Sequence, residues 1–156
     1  MIVIVMGVSG CGKSTVGTLL AQRLGVEFLD GDEFHPPENV AKMAAGVPLS
    51  DDDRQPWLEC LNAELRKTSG VVLACSALKE SYRKALARGV DCRFVHLRGS
   101  IELIRSRMTQ RKHRYMPASL LESQFAALEP PEDALVVDIG QPPEACVDAI
   151  HAALAR

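Results

Sequence analysis

The stretch Gly7-Val8-Ser9-Gly10-Cys11-Gly12-Lys13-Ser14-Thr15 follows the apolar run Ile2–Met6 and opens the helix-forming run Lys13–Leu24. It fits G-x-x-x-x-G-K-[ST] at every required position. Glycines let a backbone curl so that successive N–H groups point inward, and the start of a helix adds partial positive charge, so the run suits phosphate oxygens. A tight glycine-rich turn alone accounts for Gly7 and Gly12 but not for Lys13. A cation in the first helical turn opposes the helix dipole unless it faces an anion. Lys13 is therefore assigned to the β- and γ-phosphates of ATP, the Ser14 hydroxyl to Mg²⁺, and the whole run from Gly7 to Thr15 to the nucleotide cradle. No guanine-specifying N-K-x-D tetrapeptide is present.

Outward from this loop, short β-branched runs alternate with helical patterns. Residues 2–6, 27–30, 70–75, 92–97 and 134–138 read as buried strands, and 13–24, 56–68, 79–87, 100–110, 117–127 and 142–154 as helices. This alternation predicts an α/β fold of the P-loop nucleoside triphosphate hydrolase type: a five-stranded parallel sheet with helices on both faces and a small lid. At 156 residues the chain is one domain, 1–156, interrupted by a substrate-binding excursion over about 31–53 and a lid at about 111–116. Ligands of such sheets bind beyond the carboxyl ends of the strands, where these loops gather.

Composition narrows the function. A chain that is 47% hydrophobic and 24% charged, with a net charge of −2, has no general attraction for nucleic acid or anionic membranes. Five cysteines without CxxC spacing read as thiols in a reducing cytoplasm. No run reaches membrane-spanning length, and the short apolar start lacks the pattern of a signal peptide.

The second strand ends in Asp30-Gly31-Asp32-Glu33-Phe34-His35. Two carboxylates at a strand end can divide the work of a kinase, Asp30 serving Mg²⁺ and Asp32 accepting the proton of an attacking hydroxyl; the alternative is that they cap the following turn. His35 fits either a substrate contact or a hydrogen-bonded structural histidine. Asp51-Asp52-Asp53 fits charge pairing with a helix starting near Pro56, whereas Arg54, in or just before its first turn, calls for an anion. Lys79 and Arg83, four apart after the third strand, suggest an acidic substrate; pairing with Glu80 on a solvated face is the other reading. Arg105, Arg107, Arg111, Lys112 and Arg114 fit a lid closing over transferring phosphates better than a nucleic-acid surface, having one nearby aromatic, Tyr115.

Beyond the loop, Asp30-Gly31-Asp32 with His35-Pro36, Asn39, Lys42-Met43, Gly46-Val47-Pro48-Leu49 and the run from Asp51 to Leu58 form a specific string. It continues through Cys75-Ser76-Ala77-Leu78-Lys79, Tyr82-Arg83, Leu120 to Phe125 and Leu128-Glu129-Pro130. Over nearly its whole length the sequence resembles the gluconokinases of the small P-loop type, whose fold is similar to that of shikimate and adenylate kinases. The resemblance implies phosphorylation of D-gluconate on its 6-hydroxyl by MgATP in a homodimer. It further implies Arg107 near the adenine, Arg111 reaching the phosphates as a catalytic residue with Lys13 and Asp32, and Gln141-Pro142 near the base. Asp32, His35, Arg54, Lys79 and Arg83 are the expected substrate contacts. Two departures stand out: His113-Arg114-Tyr115 where the family reads Gly-His-Phe/Tyr, and a short Pro130-Pro131-Glu132-Asp133 segment. The remaining alternatives are a kinase of the same fold acting on another acidic polyol such as shikimate, and a non-catalytic ATP-binding regulatory protein.

Overall fold

In the computed structural model, which describes residues 1–109 and 118–155, five strands form one parallel sheet. They are β1 (Ile2–Met6), β2 (Glu27–Asp30), β3 (Val71–Ala74), β4 (Cys92–Arg98) and β5 (Leu135–Asp138). Their order is β2-β3-β1-β4-β5, and every neighbouring pair is parallel. The helices are α1 (Lys13–Leu24), α2 (Pro37–Ala44), α3 (Asp51–Arg66), α4 (Glu80–Ala87), α5 (Ile101–Thr109), α6 (Ala118–Ala127) and α7 (Pro143–Leu154).

Alternation along β1 shows why helices cover both faces. Val3 and Val5 point into one apolar cluster with Val16 and Leu20 of α1 and Val147 and Ile150 of α7. Ile2, Ile4 and Met6 point into the other with Trp57, Leu61 and Leu65 of α3 and Leu86 of α4. Every residue of β1 is buried, which is the reason its sequence is continuously apolar. The chain leaves β1 for one side of the sheet and later returns to the other, so the carboxyl end of β1 is the switch point of the topology.

The acidic stretch departs from expectation. α3 begins five residues before Pro56, because Ser50 and Asp53 form a capping box: Asp53 N–H donates to Ser50 Oγ (3.1 Å), and Ser50 N–H donates to the Asp53 carboxylate (2.9 Å). Asp51, Asp52 and Asp53 are therefore the first turn itself, Arg54 follows within the helix, and Pro56 lies inside it on an exposed face. The excursion is also partly ordered as helix, since α2 occupies Pro37–Ala44 with a proline in its first turn. Lys42 of α2 binds both Asp53 carboxylate oxygens at 2.8 and 2.9 Å. That ammonium and the Ser50 N–H pull the Asp53 carboxyl down to about 2, so the excursion is latched to the start of α3 at neutral pH.

Gly7, where β1 turns into the loop, has φ of +150°, and a Cβ there would lie 2.7 Å from Cys11 Sγ and 2.9 Å from Leu97 O. Gly7→Ala is expected to destabilise the protein by about 1–3 kcal/mol through backbone strain alone, read as a lowered urea midpoint at unchanged m-value.

Candidate active site

At the switch point the chain rises from β1 through the glycine loop into α1. Gly12 adopts φ of +97° as the N-cap, and the first intrahelical bond runs from Val16 N–H to Gly12 O at 2.9 Å. The N–H groups of Lys13, Ser14 and Thr15 thus have no acceptor inside the helix and form a site for anionic oxygen. Lys13 Nζ donates to Gly7 O and Val8 O, both at 3.0 Å, which holds the ammonium against the loop. Ser14 Oγ donates to Asp30 Oδ2 at 3.2 Å, while Asp30 Oδ1 accepts the Asp32 N–H at 3.0 Å. Asp30 is therefore both the cap of the short turn Gly31–Phe34, as one reading of the sequence expected, and a neighbour of the loop serine.

The donor set suits Mg²⁺. Ser14 and Asp30 offer hard oxygens, and among the described residues no group of three or more His, Cys, Asp or Glu could cage a metal. A small ion sharing a hydroxyl and one carboxylate with phosphates and water is the usual mode of Mg²⁺ in phosphoryl transfer.

Beside the loop lies a cavity of about 460 Å³ lined by Gly10, Gly12, Thr15, Arg107, Gln141 and Pro142, among others. Arg107, half-buried, donates to Ile139 O, and Gln141 Nε2 donates to Asp138 O (3.0 Å), which fixes the loop after β5. Residues from three parts of the sequence expected around the nucleotide thus border one cavity. Ile139 and Cys146 border it too, without any distinguishing sequence signal. Burial raises the Cys146 thiol above its usual range, which keeps it protonated and unreactive.

On the acceptor side, Trp57 orders the turn by donating its indole N–H to Gly31 O at 2.7 Å. His35 stacks on Trp57 with centroids 4.1 Å apart and rings inclined by 15°. Asn39 Nδ2 lies 3.2 Å from His35 Nδ1 and donates to Asp53 O at 2.8 Å. An amide nitrogen only donates, so His35 Nδ1 is the acceptor and Nε2 carries the proton. Burial lowers the pKa of His35, with Asp32 opposing and Arg54 assisting, so the ring is neutral at physiological pH. Asp32 itself is exposed.

Arg54 and Lys79 meet around Tyr82. Arg54 donates to Leu49 O (2.7 Å) and to Tyr82 Oη (3.2 Å), with its guanidinium carbon 5.2 Å from the ring centroid. Lys79 Nζ, 5.6 Å from the same centroid, donates to Asp51 at 3.1 Å, and Tyr82 Oη donates to the same Asp51 oxygen. These donors hold the Asp51 carboxyl below its usual range, the tyrosine hydroxyl foremost. Asp51 and Tyr82 were not among the expected site residues; only the tertiary meeting of α3 and α4 reveals them.

Arg83 does something other than expected. It is 5% exposed, and it donates to Ala77 O (2.8 Å), Leu78 O (3.2 Å), Glu129 O (2.8 Å) and Glu80 Oε2 (3.1 Å). Ala77 is the one non-glycine residue of positive φ (45°) among the described residues, and Arg83 fastens its carbonyl. Lys79 and Arg83 therefore do not form a common cationic face: one sits at the rim, the other under the loop. Within the loop, the Ser9 N–H is turned away from the cradle toward Gln124. Of the basic cluster, Arg105 pairs with Glu122 on the surface (3.3 Å), whereas Arg111 and the lid expected at 111–116 lie outside the described residues.

The fold and the site define a P-loop kinase of small molecules, and comparison with known proteins agrees. The family model for Shikimate kinase matches residues 9–129. The chain is 52% identical over 136 residues to the gluconokinase of Gluconobacter oxydans (strain 621H), covering 83% of this chain and 76% of that protein. It is 44% identical over 155 residues to the thermoresistant gluconokinase of Escherichia coli (strain K12), covering 94% and 89%. The crystal structure of a gluconokinase from Sinorhizobium meliloti 1021 superposes with a TM-score of 0.93 at 45% identity, covering 99% of this chain and 91% of that one. The chain belongs to the gluconokinase family, within the shikimate kinase group of folds.

The reassignment of Arg83 has a measurable consequence. Arg83→Met keeps much of the volume but strands buried carbonyls, so it should cost about 3 kcal/mol or more in urea unfolding. A side chain that only touched substrate would instead raise the acceptor KM at unchanged stability.

Proposed function

We propose that this chain transfers the γ-phosphoryl group of MgATP to the 6-hydroxyl of D-gluconate, giving 6-phospho-D-gluconate and ADP. The observation that carries the reading is the 3.2 Å contact of Ser14 with Asp30, which brings the acid-bearing turn of β2 against the phosphate loop. A hydroxyl delivered to Asp32 therefore approaches the end of the triphosphate. Gluconokinase activity is what the curated relatives carry by name, and an acidic polyol suits the cationic rim of Arg54 and Lys79.

In this reading the N–H groups at the start of α1 hold the β-phosphate, and Lys13 leaves its resting carbonyls to neutralise charge shared between the β- and γ-phosphates. Mg²⁺, held by Ser14 and through Asp30, supplies further charge neutralisation on the phosphates. Asp32 accepts the proton of the 6-hydroxyl as its oxygen bonds to the γ-phosphorus, and the bond from that phosphorus to the bridging oxygen breaks, releasing ADP. His35 donates from Nε2 to a substrate hydroxyl. Arg54 spends two of its five N–H donors on Leu49 and Tyr82 and keeps the rest for the gluconate carboxylate, together with Lys79. Arg107, Gln141 and Pro142 border the base, and Arg111 serves the transferring phosphate. A homodimer belongs to the same proposal. So does a cytoplasmic setting: all five cysteines are free thiols, and no helix among the described residues is long and apolar enough to cross a membrane.

ADP release with a panel of sugar acids at low concentration tests the acceptor; the highest kcat/KM is expected for D-gluconate, and preference for shikimate or a neutral sugar would reject it. Asp32→Asn should keep MgATP affinity while kcat falls about 100-fold or more; near-normal turnover would remove Asp32 as the base. Lys13→Ala should abolish transfer, and continued gluconate phosphorylation would sink the assignment as a whole.

A further inference from the structure

Gln124 of α6 reaches the phosphate loop from 115 residues away in sequence. Its Oε1 accepts the Ser9 N–H at 2.7 Å, and its Nε2 donates to Ser9 Oγ at 3.1 Å. A carboxamide offers one acceptor and two donors, and Ser9 offers one backbone donor and a hydroxyl acceptor, so the two groups match reciprocally. An apolar side chain of similar length can make neither bond.

The place of Ser9 gives this clamp its meaning. The cavity beside α1 is bordered by Gly10, Cys11, Gly12, Thr15 and Val16 but not by Ser9. Ser9 instead adjoins Gly7 and Val8, whose carbonyls hold the Lys13 ammonium. It thus lies on the side of the loop away from the base, where the terminal phosphoryl group leaves.

The same helix also grips the acceptor side. Its structure runs on past Ala127, with Leu128 N–H bonded to Gln124 O at 2.9 Å. Directly after it, Glu129 donates its N–H to Leu78 O (2.8 Å) and accepts the Glu80 N–H on its carboxylate (2.9 Å), while Arg83 binds its carbonyl. Leu78 and Glu80 flank Lys79. α6 and the residue Glu129 just after it therefore touch both the loop that presents the donor and the loop that presents the acceptor's cation.

We propose that Gln124 is a positioning residue for phosphoryl transfer, setting the γ-phosphate end of the loop relative to the acceptor loop through α6. It touches no reacting atom; it acts through Ser9. The inference rests on the phosphoryl transfer proposed above.

The test compares Gln124→Ala, Ser9→Ala and the double variant with wild type in gluconate-dependent ADP release, alongside MgADP titration and thermal unfolding. Wild-type turnover of gluconate establishes the reaction independently, so failure of that control and failure of this inference are separable. The expected result is a fall in kcat of about tenfold or more for Gln124→Ala, because small misplacements of reacting groups are costly. MgADP affinity and gluconate KM should stay within about twofold, since the cradle beyond Ser9 and the acceptor pocket are untouched. Ser9→Ala should lose less, and the double variant should match Gln124→Ala, the signature of two groups acting through one contact. Should Gln124→Ala fail to fold, Gln124→Met, which preserves length and apolar packing, takes the same readouts. A kcat within about twofold of wild type, additive losses in the double variant, or equal losses in kcat, MgADP affinity and gluconate KM would overturn the proposal.

Discussion

Three N–H groups at the start of α1 cannot be satisfied within their own helix, and much of the polar architecture answers to that constraint. They are held at the carboxyl end of β1, a strand buried over its full length between two neighbours. A site for anions is thereby fixed to the end of the central, fully buried strand. Cations and acids then arrange themselves around it: Lys13 folds over the loop, and Asp30 comes up against Ser14. Opposite charges share so small a region because each has its own partners in the protein, the Gly7 and Val8 carbonyls for Lys13 and the Ser14 hydroxyl and Asp32 N–H for Asp30.

The acceptor side is built on a different principle. Its ion pairs are partly exposed, where each contributes little to stability. Their value is geometric. Asp53 caps α3 and latches Lys42 of α2; Asn39 ties His35 to the same turn; Trp57 stacks on His35 and holds Gly31. α2, α3 and the turn after β2, which carries Asp32, are thereby tied to one another. The Asp51 carboxylate engages both Lys79 and Tyr82, so the lysine at the rim is held by an ion pair.

α6 connects these two systems. Its apolar face, with Leu121 and Phe125, packs into the core cluster shared with α1 and α7, while Gln124 and, just after the helix, Glu129 reach the two functional loops. A helix is suited to this because its internal hydrogen bonds leave side chains as the only adjustable parts. Arg83 completes the connection by binding Glu129 O and the carbonyl of the strained Ala77 together.

The sequence by itself determined the sheet, the phosphate loop and the acid pair, because each depends on signals only a few residues long. Continuous β-branched runs, the spacing from Gly7 to Ser14, and Asp30 with Asp32 carry their chemistry locally. It could not determine which of several polar residues would spend their hydrogen bonds on the protein itself. Lys79 and Arg83 look alike at helical spacing, yet Arg83 is buried under the carbonyls of Ala77, Leu78 and Glu129, the last 46 residues on. Ser50 outcompeted Pro56 for the start of α3 because its partner Asp53 closes a capping box. Gln124 and Tyr82 stood in the sequence string without a role, and their partners became visible only when distant helices met the loops. Tertiary structure decided these roles because a donor's function depends on which acceptor reaches it first, and those acceptors come from elsewhere in the chain.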